Sequence, residues 1–281
     1  MLHVDQAPRY RMTAAPLAQA LAQVNFPVVP RLQTLEGVAP LQEHLADLFP
    51  YLNQQVVQQV DFMVGPAGPA AGSAQATTFN IFTNDDGWML QVSVGSATLS
   101  VDGANYLGVG VFRERLERVW TALTQAAGVR RCDRLGVRYV DLIELGDEDW
   151  SRWFQPEIVG LTNPALSAGV LASSLTETRL RKERPGGTPG NASAVEGVIR
   201  HGLVPQGSLM EGIPPRQILK PSFIFDMDIF VNAPGPFNPE VLGELFSQLH
   251  LELEKVFHWA VTDVGRQHFG YERLDEDGSA T

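Results

Sequence analysis

Two long amphipathic helices, each preceded by a run of short strands, constrain the fold of this chain more than any other feature. In the first, Phe112, Leu116, Val119, Trp120, Leu123 and Ala127 recur at i, i+4, i+7, i+8, i+11 and i+15 while Arg113, Glu114, Glu117 and Arg118 take the opposite side, the period of a helix with one buried stripe. Glu114 and Arg118 are an i,i+4 pair, and Gly128 is placed to cap the C-terminus. In the second, Asn238 stands as N-cap, Pro239 at the first helical position and Glu240 in the first turn, ahead of a stripe of Leu242, Leu245, Phe246, Leu249, Leu253, Val256, Phe257 and Ala260. A helix apolar on one side has to lay that side on another element, so both predict a layered domain.

What precedes each helix has period two, the signature of strands. Ala18, Ala20, Ala22, Val24 and Phe26 fall on one face of a strand between Pro16 and Pro27, with Gln19, Gln23 and Asn25 on the other. Gly37 and Pro40 introduce a short amphipathic stretch through Leu41, Leu45, Leu48 and Phe49. Residues 54–64 read as a strand, the run GPAGPAAGSA from Gly65 as a loop or hairpin tip, and 79–82, 89–94 and 97–101 as a meander with turns at Asn84–Gly87 and Gly95–Ser96. In the second half Leu135, Val137, Tyr139, Asp141 and Ile143 alternate with Gly136, Arg138, Val140, Leu142 and Glu144, a strand with so few polar positions that it reads as central. A short helical stretch near 150–154 and strands near 170–181, 194–204 and 218–231 then lead to the last helix. The two halves follow one order. The sequence therefore predicts an α+β fold of two pseudo-repeats, each an antiparallel sheet with a short and a long helix on one face. Residues 1–130 form the first repeat, 131–265 the second packed against it, and 266–281 a C-terminal tail.

The 281 residues carry 21 Lys+Arg against 32 Asp+Glu, a formal charge of −11. That balance argues against nucleic acid or an anionic membrane surface as partner, since both call for a net positive face. Hydrophobic residues at 44% suffice for a real core, yet no run reaches the roughly 18 apolar residues of a membrane span, and the N-terminus lacks the basic start and apolar run of a signal peptide. The expected location is the cytoplasm. The single cysteine, Cys132, excludes an intramolecular disulfide and a CxxC zinc site.

Asp226 and Asp228 lie two apart on a strand, so both carboxylates point to one face, between Ile224 and Phe230. A D-x-D pair suits a hard cation or phosphoryl chemistry. The cost of an unpaired half-buried charge favours a different reading, a cross-strand pair with Arg138, which sits embedded in the central strand of the second half. Arg138, Asp226 and Asp228 are the binding candidates; no residue is singled out as catalytic or as a metal ligand, and no cofactor is implied. His250, Glu254 and His258 follow at i, i+4 and i+8, but successive steps drift by about 40° each and no HExxH spacing appears, so they read as a solvated helix flank. Arg179, Arg181, Lys182 and Arg184 run into a Gly/Pro-rich hairpin tip with Glu177 and Glu183 interspersed, and read as a solvated hairpin. Leu209, Met210 and Ile213, set among prolines and glycines, are candidates for partner contact, with a loop folded back over the sheet as the open alternative.

The segment Ala15–Pro27, the strand Arg134–Val140, the strand Phe225–Ile229, and Leu249-His250 followed by Phe257 and Thr262 together resemble a sporadically distributed prokaryotic family of uncharacterised proteins of roughly this length. The likeness spans nearly the whole chain through short, mostly apolar motifs. The family usually carries an acidic residue in the first strand, where this chain has Gln19 and Gln23. The resemblance implies the fold and a patchy, accessory-gene character, and supplies no activity. With no nucleophile, base or phosphate-loop constellation in the sequence, the expected function is that of a non-catalytic binding or assembly protein of an accessory prokaryotic system, acting through protein–protein interaction with a partner protein or its own copy. The alternative is a metal- or phosphate-dependent enzyme using Asp226, Asp228 and Arg138.

Overall fold

The alternation that opens the chain forms a strand, and everything else in the molecule is arranged around it. A computed structural model describes residues 10–65, 68–146, 149–164, 171–183, 194–210 and 212–274. In chain order the first half contains β1 (Tyr10–Met12), β2 (Leu17–Asn25), α1 (Leu35–Leu45), β3 (Tyr51–Gly65), β4 (Gly68–Thr83), β5 (Trp88–Val92), β6 (Ser96–Asp102) and α2 (Val109–Ala122). The second contains β7 (Arg131–Glu144), α3 (Pro156–Val159), β8 (Ser174–Glu183), β9 (Ala194–Val204), β10 (Leu209–Met210), β11 (Arg216–Gln217), β12 (Ser222–Pro236), α4 (Pro239–Ala260), α5 (Asp263–His268) and β13 (Tyr271–Arg273).

Nine strands form one antiparallel sheet in the order β3-β4-β5-β6-β2-β7-β12-β9-β8. The sequence predicts a separate sheet for each half, whereas the two halves share this one, joined where β2 pairs with β7 through Ala20↔Tyr139, Ala22↔Val137 and Val24↔Leu135. The reason is the apolar character of both strands: left as edges, each would expose a row of unpaired backbone groups, and pairing them removes both edges at once.

The long helices lie on one face. In α4 the Asn238 side chain accepts from the backbone N–H groups of Glu240 and Val241, Pro239 occupies the first turn, and Phe246, Leu249, Leu253, Val256 and Ala260 are buried. Fully burying a side chain such as Phe246 or Leu249 contributes about 1.5–3 kcal/mol. Helix α2 packs beside it, with the Phe112 and Phe246 rings stacked at 5.8 Å. Its stripe continues through a wider π turn over Leu123–Ala127 that Gly128 ends at φ 75°, a left-handed conformation suited to glycine. Helix α1 starts earlier than the periodicity predicts, because Thr34 accepts from the Gly37 N–H at 3.2 Å and so caps a turn that takes in Gly37 and Pro40. No helix of the described residues is long and apolar enough to cross a membrane.

Two further expectations change. The run from Gly65 holds the tip of a hairpin, one of the two readings the sequence offers, but from Gly68 it is strand, with Val64↔Pro69 and Met63↔Ala70 paired, since ladder hydrogen bonds override the weak local preference of Gly and Ala. The segment from residue 266, expected as a tail, completes α5 and then pairs β13 with β1 through Tyr10↔Arg273 and Met12↔Tyr271. Residues 275–281 lie outside the described residues.

Candidate functional site

The face of the sheet opposite the long helices carries the charged constellation. Along β12, Phe223, Phe225, Met227, Ile229 and Val231 join the main core, so Ile224, Asp226, Asp228 and Phe230 point the other way, as do Arg134, Gly136, Arg138 and Val140 of β7. Arg138 stands opposite Asp228 in the register but reaches diagonally to Asp226, donating from Nε at 2.8 Å and Nη2 at 2.9 Å to its two oxygens. Asp226 is 2% exposed and also accepts from Arg200 Nη1 on β9 at 3.3 Å. Arg200 in turn donates from Nε to Glu177 on β8 at 2.9 Å, and Glu177 accepts from Arg179 at 3.0 Å. Charges thus alternate in sign across β7, β12, β9 and β8. Both oxygens of Asp226 face guanidinium groups, whose positive charge opposes a cation at the same carboxylate, which argues against the aspartate pair as a two-carboxylate metal site. Among the described residues no cluster of three His, Cys, Asp or Glu could hold a metal ion.

Asp228 has a looser partner. Arg134 Nη2 donates to it at 3.3 Å, Nη1 donates to Gln23 Oε1 at 3.2 Å, and the guanidinium lies 4.2 Å over the Phe230 ring. Gly136 permits this posture: a Cβ there would sit 2.7 Å from the guanidinium. Burial pushes the Asp228 carboxyl above its usual range, opposed by Arg134 and Arg138. Between these groups and β6 is a cavity of about 220 Å³ bounded by Arg134, Arg138, Asp228, Gln23, Thr98 and the loop backbone at Gly212 and Ile213. Sequence reasoning missed Arg134, Gln23 and Thr98; the shared face of period-two strands was the available signal.

The loop from Pro205 to Pro221 closes one side of this cavity. Gln19 is fully buried and makes a matched pair with the backbone of Ile213, its Nε2 donating to the carbonyl at 2.5 Å and its Oε1 accepting from the N–H at 3.1 Å. Ser100 donates to the same carbonyl at 2.7 Å, and Arg216 is ion-paired with Asp102. Met210 is 3% exposed and packs with Leu21, Val140, Ile218 and Ile224, with Ile213 against the same cluster. The contact surface expected of Leu209, Met210 and Ile213 is therefore reduced to Leu209, 67% exposed, because the other two find apolar partners on their own sheet.

The helix side holds a second polar set. His250 is not on a solvated flank: it is 8% exposed, its Nδ1 lies 3.0 Å from the Tyr139 hydroxyl, and its Nε2 lies 3.2 Å from Glu254. Tyr139 also meets the Tyr106 hydroxyl at 2.8 Å. Burial pushes the Tyr106 hydroxyl up to about 12 and the Tyr139 hydroxyl well above its ordinary value. Asp141 is 3% exposed, its buried Oδ2 meets no hydrogen-bond partner among the described residues, and desolvation, reinforced by Asp226, raises its carboxyl to about 8. The hairpin cations Arg179, Arg181 and Lys182 are exposed and paired with Glu177, Glu183 and Glu252; Arg184 lies outside the described residues.

A scan against protein-family models finds no match, and a search of curated proteins finds no similar sequence.

Proposed function

We propose that the protein is a non-catalytic binding protein that seats a partner protein on the face of its sheet opposite the long helices, with a carboxylate of the partner entering the cavity beside Arg134. The contrast between two neighbouring arginines carries this reading. Arg138 is chelated by Asp226, whereas Arg134 is held by two contacts of 3.2 and 3.3 Å at the cavity wall. An arginine with only long, single contacts can re-pair bidentately with an incoming carboxylate at small cost, and Thr98 and Gln23 stand by with further hydrogen-bonding groups. The metal- or phosphate-dependent alternative built on Asp226, Asp228 and Arg138 is disfavoured by the engagement of both Asp226 oxygens.

The test is affinity capture from the native host with wild-type protein and with Arg134→Gln, melting temperatures being measured in parallel. A partner held by wild type and lost by the variant at unchanged melting temperature supports the reading. Equal retention by both removes the cavity from it, and turnover of a small molecule by purified protein removes the non-catalytic claim.

We also infer that the halves are two copies of one unit in a cytoplasmic protein of an accessory prokaryotic system. Strand order within the large sheet supports the duplication: moving outward from the β2–β7 junction, one side runs β2-β6-β5-β4-β3 and the other β7-β12-β9-β8, each presenting its first sheet strand, then its last, then the preceding ones in reverse order. Superposing residues 12–128 on 132–262 tests it, and differing connectivity of the superposed strands would defeat it.

A further inference from the structure

We propose that β8 is a dimerisation edge, pairing antiparallel with β8 of a second copy about a two-fold axis through Thr178, so that two nine-stranded sheets become one. This goes beyond binding at the cavity and does not depend on it. Strand β8 ends the sheet: its inner side pairs with β9 from Ser174↔Leu203 to Glu183↔Ala194, and among the described residues nothing pairs with its outer side. Its side chains are exposed almost throughout, so the edge is open to another strand, the general hazard and opportunity of sheet edges.

Charge chooses the partner. The alternation running outward through Arg138, Asp226, Arg200 and Glu177 ends on Arg179 of the same strand, an exposed pair at the sheet edge that two copies could exchange with one another. A two-fold axis normal to the sheet keeps each face on its own side, so paired positions share a face. With the axis at Thr178, Glu177 of each copy opposes Arg179 of the other, Leu175 opposes Arg181, Thr176 opposes Leu180 and Ser174 opposes Lys182. No like charges meet. An axis at Arg179 sets that arginine against itself, one at Leu180 opposes Arg179 to Arg181 and Glu177 to Glu183, and one at Glu177 opposes the two glutamates. An axis at Thr176 forms no opposite-charge pair and shortens the ladder. Charges on an edge strand usually discourage pairing; this pattern discourages the other registers and leaves one. Backbone hydrogen bonds supply the attraction, and opposed charges fix the register.

Light scattering of wild-type protein at micromolar concentration should give a dimer. Directly opposed residues of an antiparallel pair lie about 4.5–5.5 Å apart at Cα, inside the disulfide range, so T178C should cross-link to itself under mild oxidation. S174C, whose own mate lies about eight residues along the ladder at ~3.4 Å per residue, should not. R179E alters a side chain 80% exposed and so tests the interface with the fold intact: it should be monomeric, and mixing it with E177R should restore a heterodimer. A monomeric wild type, or a dimer that persists in R179E with no cross-link at position 178, overturns the proposal. Either result leaves capture of a partner through Arg134 to be judged by its own experiment.

Discussion

Asp141 and Asp226 are one residue apart in the register of neighbouring strands, since Val140 faces Asp226, and they point to opposite faces of the same sheet. Both are almost fully buried. On the face opposite the long helices Asp226 accepts from Arg138 and Arg200, while beneath the helices Asp141 keeps a buried oxygen with no partner among the described residues and a carboxyl raised to about 8. The difference teaches that two carboxyls equally deep in one sheet can have opposite surroundings: Asp226 meets two guanidinium groups, whereas at Asp141 desolvation makes the neutral acid cheaper.

Substituting each aspartate by its amide should break the pair apart, with opposite signs. Asp226→Asn leaves Arg138 and Arg200 facing a neutral group in a mostly buried site, and should cost about 3–5 kcal/mol in urea denaturation. For Asp141 the folded value of about 8 lies above the ordinary 3.8. Between those values the folded chain holds a proton that the unfolded chain releases. Stability from this group is therefore full below the lower value and lost as pH rises toward about 8, by at most about 1.4 kcal/mol per pH unit. Asp141→Asn should remove that slope and melt above wild type at pH 8. Equal pH dependence in variant and wild type would show that Asp141 is ionised in the fold.

The same contrast explains what was legible in the sequence. Helices α2 and α4 were, because period 3.6 and the Asn238-Pro239-Glu240 start are local signals. The pairing of Arg138 with an aspartate of β12 followed from the cost of isolated charge in apolar strands. The joining of the halves through β2 and β7 was not legible, since strand partners distant in sequence leave no local mark. Arg134 was overlooked because its posture needs the missing Cβ of Gly136 and the ring of Phe230 from another strand. His250 looked solvated beside Glu254 and His258, whereas it is buried between Glu254 and the Tyr139 hydroxyl on β7.

Gln19 sharpens the comparison at the next level down. Its amide both donates to and accepts from Ile213, a match a carboxylate cannot make, because it has no hydrogen to give the carbonyl. Gln19→Glu should cost about 1–3 kcal/mol by leaving that buried carbonyl facing a carboxylate. It should also loosen the loop from Pro205 to Pro221, read as faster proteolysis there. Unchanged protection would mean that Ser100 and the Arg216–Asp102 pair hold the loop without it.

The smallest effect on stability is expected at Arg134, and that smallness matters to the binding reading. Arg134→Lys loses the planar contact over Phe230 and one of two long hydrogen bonds but keeps a cation beside Asp228. Contacts of this kind at a partly exposed side chain contribute under about 1 kcal/mol. Lysine cannot form the two parallel hydrogen bonds by which arginine holds a carboxylate, so partner capture should fall while the urea midpoint barely moves. A residue kept for structure would show the reverse, a shifted midpoint with capture intact. That outcome would make Arg134 a second Arg138, and the face opposite the long helices would then carry charges that serve only one another.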